Sequence, residues 1–116
     1  MRRRGEIWLA NLEPGHGTEP GKTRPVLILQ SQALIDADHP STLVVPLTTK
    51  LVAEAEPLRV RVLASVGIDH ESDLLIDQLR AIDNRRLVKG PLGVLSPEAI
   101  RAVDQAVREV LDLDVG

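Results

Sequence analysis

Polar residues able to do chemistry gather in three places: Glu19 to Arg24, Thr48-Thr49, and Asp77 to Arg86. The first lies in Thr18-Glu19-Pro20-Gly21-Lys22-Thr23-Arg24-Pro25, where two prolines and a glycine restrict the shape of a loop. The run Val26-Leu27-Ile28-Leu29 that follows reads as a buried strand, bounded by turn signals and too short for a typical helix. Glu19, Lys22, Thr23 and Arg24 are thus expected on a stiff loop at the mouth of a rigid strand, where binding and catalytic groups tend to sit. The plain alternative is a hairpin loop whose charges are merely solvated. Charge is unevenly spread along the chain. Residues 1–35 hold Arg2, Arg3, Arg4, Lys22 and Arg24 against Glu6, Glu13 and Glu19, and residues 80–95 hold Arg80, Arg85, Arg86 and Lys89 against Asp83. If those two basic segments converge on one face, they form an electrostatic footprint for phosphates. The net charge of −3 argues against general affinity for nucleic acid.

Other chemistries find little support. Neither common nucleotide-binding glycine pattern is present, and Gly15-His16-Gly17 follows no crossover unit. Ser31, Ser41 or Ser65 can be combined on paper with His39 or His70, but none occupies a nucleophile elbow. Asp69, His70, Glu71 and Asp73 form the densest acid-histidine cluster, which reads better as a solvated acidic turn than as a metal site. With no cysteine there is neither a disulfide framework nor a thiolate metal site, so no cofactor or metal is expected. Trp8 is the only aromatic residue, which removes the base-stacking platforms many single-strand binders use. A nucleic-acid partner would have to be held by charge, hydrogen bonds and backbone groups. No stretch has the length of a membrane span, and polar residues interrupt any signal-peptide core after Arg4. A soluble, cytoplasmic protein of one domain over residues 1–116 is expected.

The elements that must position these residues are mostly strands. Glu6 to Leu12 reads as a first strand apolar on both faces, and therefore central or at a subunit interface. Trp8 belongs to core or interface there. After strand Val26–Gln30, Ser31 to Asp38 forms a short helix capped by Ser31. Thr42 to Leu47 is a third strand in which Pro46 marks an edge or bulge. Leu58 to Leu63 alternates apolar and basic residues as a half-exposed strand does. Ser72 to Ile82 fits helix or strand by pattern and is assigned to a strand, Asp83 to Arg86 to a turn, and Leu87 to Val94 to a last strand broken by Gly90, Pro91 and Gly93. Ser96, Pro97 and Glu98 then open a helix with an apolar stripe of Ile100, Val103, Val107, Val110 and Leu111. The picture is a mostly antiparallel β domain closed by a C-terminal helix.

The run GTEPGKTRPVLILQ, then LVVPLTTK, then LLIDQLRAIDNRRL and a final helix resemble the MazF/PemK family of toxins in order and spacing. The similarity extends from Arg4 to about Leu113. It implies a compact SH3-like antiparallel β-barrel with a C-terminal helix, working as a homodimer. It also implies a metal-independent endoribonuclease that cuts single-stranded RNA, and a MazE-type antitoxin whose acidic tail covers the RNA groove. The family's catalytic pair falls on Arg24 and Thr48, with Glu19 and the Gln78–Arg80 segment near the site.

The residue types suit that chemistry. RNA cleaves when its 2′-hydroxyl attacks the adjacent phosphorus. The enzyme must help remove that proton, stabilise charge on the phosphoryl oxygens and protonate the leaving 5′-oxygen. Arg24 offers a planar, permanently charged donor fork, and Thr48 a hydroxyl donor. Glu19 is better suited than Arg24 to accept a proton, and the general base stays open between them. His16, Lys22, Thr23, Thr49, Gln78, Arg80, Arg85 and Arg86 are candidates for RNA contacts. Arg85 and Arg86 read equally well as turn charges, and Asp77 and Asp83 can pair with Arg80 instead of leaving it for phosphate. Pro20, Ser31 and Asp77 depart from the family's common residues, which bears on RNA preference and loop shape more than on chemistry. The competing function is that of a CcdB-like binding module acting on a protein such as gyrase. No aromatic anchor stands at Leu113-Asp114-Val115-Gly116 to support it.

Overall fold

The apolar runs become strands, and their alternation decides which core each side chain enters. The computed structural model describes residues 2–13, 17–18, 22–64 and 67–113. In chain order the elements are β1 (Glu6–Asn11), β2 (Thr23–Ile28), α1 (Gln32–Asp36), β3 (Ser41–Thr48), β4 (Arg59–Val62), β5 (Ser72–Leu75), β6 (Arg80–Asp83), β7 (Leu87–Val94) and α2 (Pro97–Leu111). Single 3-10 turns at Ile76–Gln78 and Asn84–Arg86 flank β6. All pairings are antiparallel, in the order β4-β5-β3-β2-β1-β7, with β6 on β3 off this path. The sheet is barrel-like but not closed among the described residues.

Strands β1, β2 and β3 are buried on both faces, as the apolar runs require. Val26 and Ile28 enter one cluster with Ala10, Leu12, Ile35, Val44, Ile82 and Leu87. Leu27 points the other way, into a second cluster with Ile7, Val45, Leu47, Leu74, Ile76 and Val103. Neighbouring residues of a strand face opposite sides, so each run feeds both cores at once. Each fully buried Leu, Ile or Val contributes about 1.5–3 kcal/mol. The core is almost wholly aliphatic.

Several boundaries differ from the sequence reading. Strand β2 begins at Thr23, so Thr23, Arg24 and Pro25 are strand rather than loop. They pair with Asn11, Ala10 and Leu9 of β1, which extends the ladder past the proline. The segment 72–82 is not one strand. The turn at Ile76–Gln78 divides it, and both halves pair with β3 in succession. Pro46 is neither at an edge nor in a bulge. On β3's outer side β6 pairs with residues 41–44 and β5 with 47–48, so Pro46 falls where one ladder has ended and the other has not begun. A residue without an N–H is tolerated there.

Helix α2 follows its sequence signals. The Ser96 hydroxyl accepts from the Ala99 N–H at 3.1 Å, Pro97 occupies the first turn, and Asp112 ends the helix in the left-handed region. Val103 and Ala106 are buried, and Ile100, Val107 and Val110 pack beside them, whereas Leu111 is 53% exposed. Ser31 is the cap residue of α1 but makes no side-chain capping bond. Trp8 packs at the edge of the Val26 cluster, and its indole N–H donates to the Glu6 carboxylate at 3.0 Å. On the adjoining strand β7, a Cβ at Gly90 would run into the indole.

Candidate active site

Strand register brings Arg24 and Thr48 together. The β2–β3 ladder pairs Val26 with Pro46, Leu27 with Val45 and Ile28 with Val44. Carried two residues further, that register sets Arg24 opposite Thr48, the last residue of β3. The half-buried Arg24 guanidinium reaches across to the Leu47 carbonyl at 3.4 Å, one residue before Thr48. A guanidinium thus bonds the residue next to a threonine, both on strands anchored by buried neighbours at Val26, Leu27, Val45 and Leu47. Such a pair can hold a phosphoryl group between an ionic fork and a neutral donor.

The Thr48 hydroxyl is not loose. Its oxygen accepts from the Lys50 N–H at 3.2 Å. Asp73 of β5 pairs with Thr48 across the β3–β5 ladder, and its side chain is only 1% exposed. One Asp73 oxygen accepts from the Val52 N–H at 3.0 Å and from Arg59 at 3.1 Å, and the other accepts from Arg61. Burial opposes the charge on this carboxylate, but the Val52 amide and the two guanidiniums outweigh it and hold its pKa below the ordinary value. Asp73 is therefore no part of a solvated acidic turn. Glu71 is likewise engaged, with Arg61 at 3.4 Å. Among the described residues no group of three or more His, Asp or Glu side chains is arranged to hold a metal ion.

The remaining candidates spread around this centre. Thr23 is exposed in β2, and Thr49 is exposed just past β3. Lys22 is exposed in the left-handed region (φ 67°), and its carbonyl accepts from the Leu12 N–H at 2.8 Å. Gln78 donates to the Thr18 hydroxyl at 3.5 Å, joining the turn after β5 to the segment before β2. Arg80 is half-buried opposite Val44 and pairs with neither Asp77 nor Asp83. Asp83 instead binds Arg85 at 3.0 Å, and the Arg85 guanidinium with the Arg85 N–H lowers its pKa to about 2. Arg86 donates to the carbonyls of Asn11 and Glu13 at 3.2 and 2.7 Å, which ties the second basic segment to the root of the loop leading to Arg24. Its donors are partly spent on that task. Glu19 and His16 lie outside the described residues.

What sequence reasoning missed is the support of the site: Asp73, Arg59 and Arg61. One signal was available. Arg59 and Arg61 alternate on one strand, so they share a face, and a carboxylate on the adjoining strand is their natural cross-strand partner.

The chain matches the family of PemK-like, MazF-like toxins of type II toxin-antitoxin systems over residues 3–111, and belongs to it. Among solved structures it is similar to the Mycobacterium tuberculosis toxin MazF-mt6, at 27% identity and a TM-score of 0.78, covering 94% of this chain and 98% of that one. MazF from Deinococcus radiodurans is 24% identical with a TM-score of 0.79, covering 96% of both chains. An endoribonuclease in complex with its cognate antitoxin, from a mycobacterial species, is 19% identical with a TM-score of 0.78 over the full length of both. No helix among the described residues is long and apolar enough to cross a membrane.

Proposed function

We propose that this toxin is an endoribonuclease that cleaves single-stranded RNA without a metal ion, using Arg24 and Thr48 on the scissile phosphate. The observation that carries the reading is the Arg24 guanidinium lying 3.4 Å from the Leu47 carbonyl, beside Thr48. In the reaction the 2′-oxygen loses its proton to a base and bonds to phosphorus. The phosphorus–5′-oxygen bond breaks, and the leaving oxygen takes up a proton. The products are a 2′,3′-cyclic phosphate, which can open to a 3′-phosphate, and a 5′-hydroxyl. Arg24 stabilises the charge that grows on the phosphoryl oxygens, and Thr48 donates a hydrogen bond to the same group. Arg24 is a poor base at its normal pKa, so Glu19 is the better chemical candidate for the proton. Lys22 and Thr23 precede Arg24, Thr49 follows Thr48, and with Gln78 and Arg80 they are candidates for polar RNA contacts without stacking. The mycobacterial endoribonuclease and MazF of Deinococcus radiodurans occur in complexes with an antitoxin and with MazE respectively, which supports a MazE-type partner here. A homodimer is the expected working form.

The test is cleavage of end-labelled single-stranded RNA by purified, antitoxin-free protein in excess EDTA, with Arg24→Ala alongside. Site-specific cuts with cyclic or 3′-phosphate ends, slowed about 10²–10³-fold in the variant, are expected from the loss of one preorganised charge-stabilising donor. Wild-type-like cutting by Arg24→Ala would remove Arg24 from the mechanism. No cuts across a varied RNA pool would turn the function toward a protein target such as gyrase.

A further inference from the structure

A hydroxyl can donate one hydrogen bond and accept two, and its proton turns to suit its neighbours. Thr48 is useful to a phosphate only if its proton points away from the protein. The Lys50 N–H already occupies one acceptor position of the Thr48 oxygen, so the hydroxyl proton is left to point elsewhere. The question is what holds Lys50. Its carbonyl accepts from Arg59 Nη1 at 2.8 Å, and the same nitrogen donates to Asp73 at 3.1 Å. Two residues on, the Val52 N–H donates to Asp73, and the Val52 carbonyl accepts from Arg61 Nη2 at 3.2 Å. The chain from Lys50 to Val52 is therefore gripped by a buried carboxylate and the two arginines it pairs with. This segment lies between β3 and β4.

We infer that Asp73, through Arg59 and the Lys50 peptide, positions the Thr48 hydroxyl as a phosphate donor. The inference rests on the proposed role of Thr48. Asp73 touches no substrate and is a positioning residue. The arrangement has a reason to be this elaborate. Thr48 ends its strand, and a strand end frays unless something beyond it is fixed. Burying a carboxylate is costly unless it is paired and hydrogen-bonded, and here all its bonds go to the segment after Thr48 or to the arginines that grip that segment. The network closes on Lys50, the residue whose N–H donates to the Thr48 hydroxyl.

The test compares Asp73→Asn, Arg59→Gln, Thr48→Ala and the Asp73→Asn/Thr48→Ala double variant in single-turnover RNA cleavage. Affinity for an uncleavable 2′-deoxy analogue is measured on the same proteins. In Asp73→Asn the cleavage step is expected to slow about tenfold, in line with the sensitivity of catalysis to small misplacements, while analogue affinity changes less than about twofold. The double variant should be no slower than Thr48→Ala alone, because the support has nothing left to position. Effects that multiply would overturn the inference, as would an unchanged cleavage step in Asp73→Asn with Thr48→Ala slow. If Thr48→Ala itself cuts at the normal rate, it is the role of Thr48 that fails. Should Asp73→Asn not fold, Arg59→Gln removes the Lys50 contact and is judged by the same criteria.

Discussion

Replacing Gly90 by alanine tests how tightly β7 is laid on the only aromatic side chain. A Cβ at position 90 would sit 2.3 Å from Trp8 Cδ2, 2.6 Å from Cγ and 2.8 Å from Cε2. Ordinary contact begins near 3.4 Å, so the indole would have to withdraw by about 1 Å. The clash falls at the root of the ring rather than its tip, so the ring cannot escape by a small swing. Withdrawal also breaks the 3.0 Å bond from the indole N–H to Glu6. Overpacking costs about 1–3 kcal/mol, and a hydrogen bond to a charged group contributes about 1.5–3 kcal/mol. Some of both is recovered as the ring turns to solvent, leaving an expected loss of about 2–4 kcal/mol. Urea unfolding followed by fluorescence is the assay, and with one tryptophan and no tyrosine the signal comes from Trp8 alone. The native emission should shift to the red, and the midpoint should fall at unchanged slope. A destabilisation under about 0.5 kcal/mol, within the range of neutral surface changes, would refute the reasoning.

Asp83 is held in its ionised form by Arg85, with its pKa lowered to about 2. A depressed folded-state value means that its contribution to stability is complete above the unfolded carboxylate's pKa and is lost as pH falls toward 2. Carboxyl titration by NMR should place its midpoint near 2 and move it upward in Arg85→Ala; an unmoved midpoint would reject the pairing. Arg86 holds the carbonyls of Asn11 and Glu13, so Arg86→Ala should speed amide exchange in the segment before β2. It should leave the salt dependence of RNA affinity unchanged, and a slope reduced by about one would make Arg86 a phosphate contact after all.

The sequence disclosed the elements whose local signals agreed with their surroundings. The last helix was marked by Ser96 at its cap and Pro97 in its first turn, and its start followed suit. The first and third strands were apolar runs that lie mostly inside, whereas Val88 and Val94 of the last strand stay more than half exposed. Errors arose where local and tertiary preferences diverge. Pro25 reads as loop, yet pairing with Leu9 carries the strand through it. The apolar residues of 72–82 fit one strand by pattern, and only the need to serve two stretches of β3 explains the turn between them. Arg24 and Thr48 were singled out by their motifs, and the fold sets their strands side by side. The support beneath them was not legible, because a buried Asp73 and a solvated one have the same neighbours in sequence.

The double duty of β3 has a consequence for how the protein is made. Arg24 and Thr48 belong to the first half of the chain, but β5 and β6, which cover the outer side of β3, are synthesised after it. Pairing between segments distant in sequence is slow and cannot begin before both exist. Under the arrangement inferred above, a nascent chain carries its reactive residues long before it carries Asp73. If the proposed function holds, the site takes its full shape only once the second half of the polypeptide has been made.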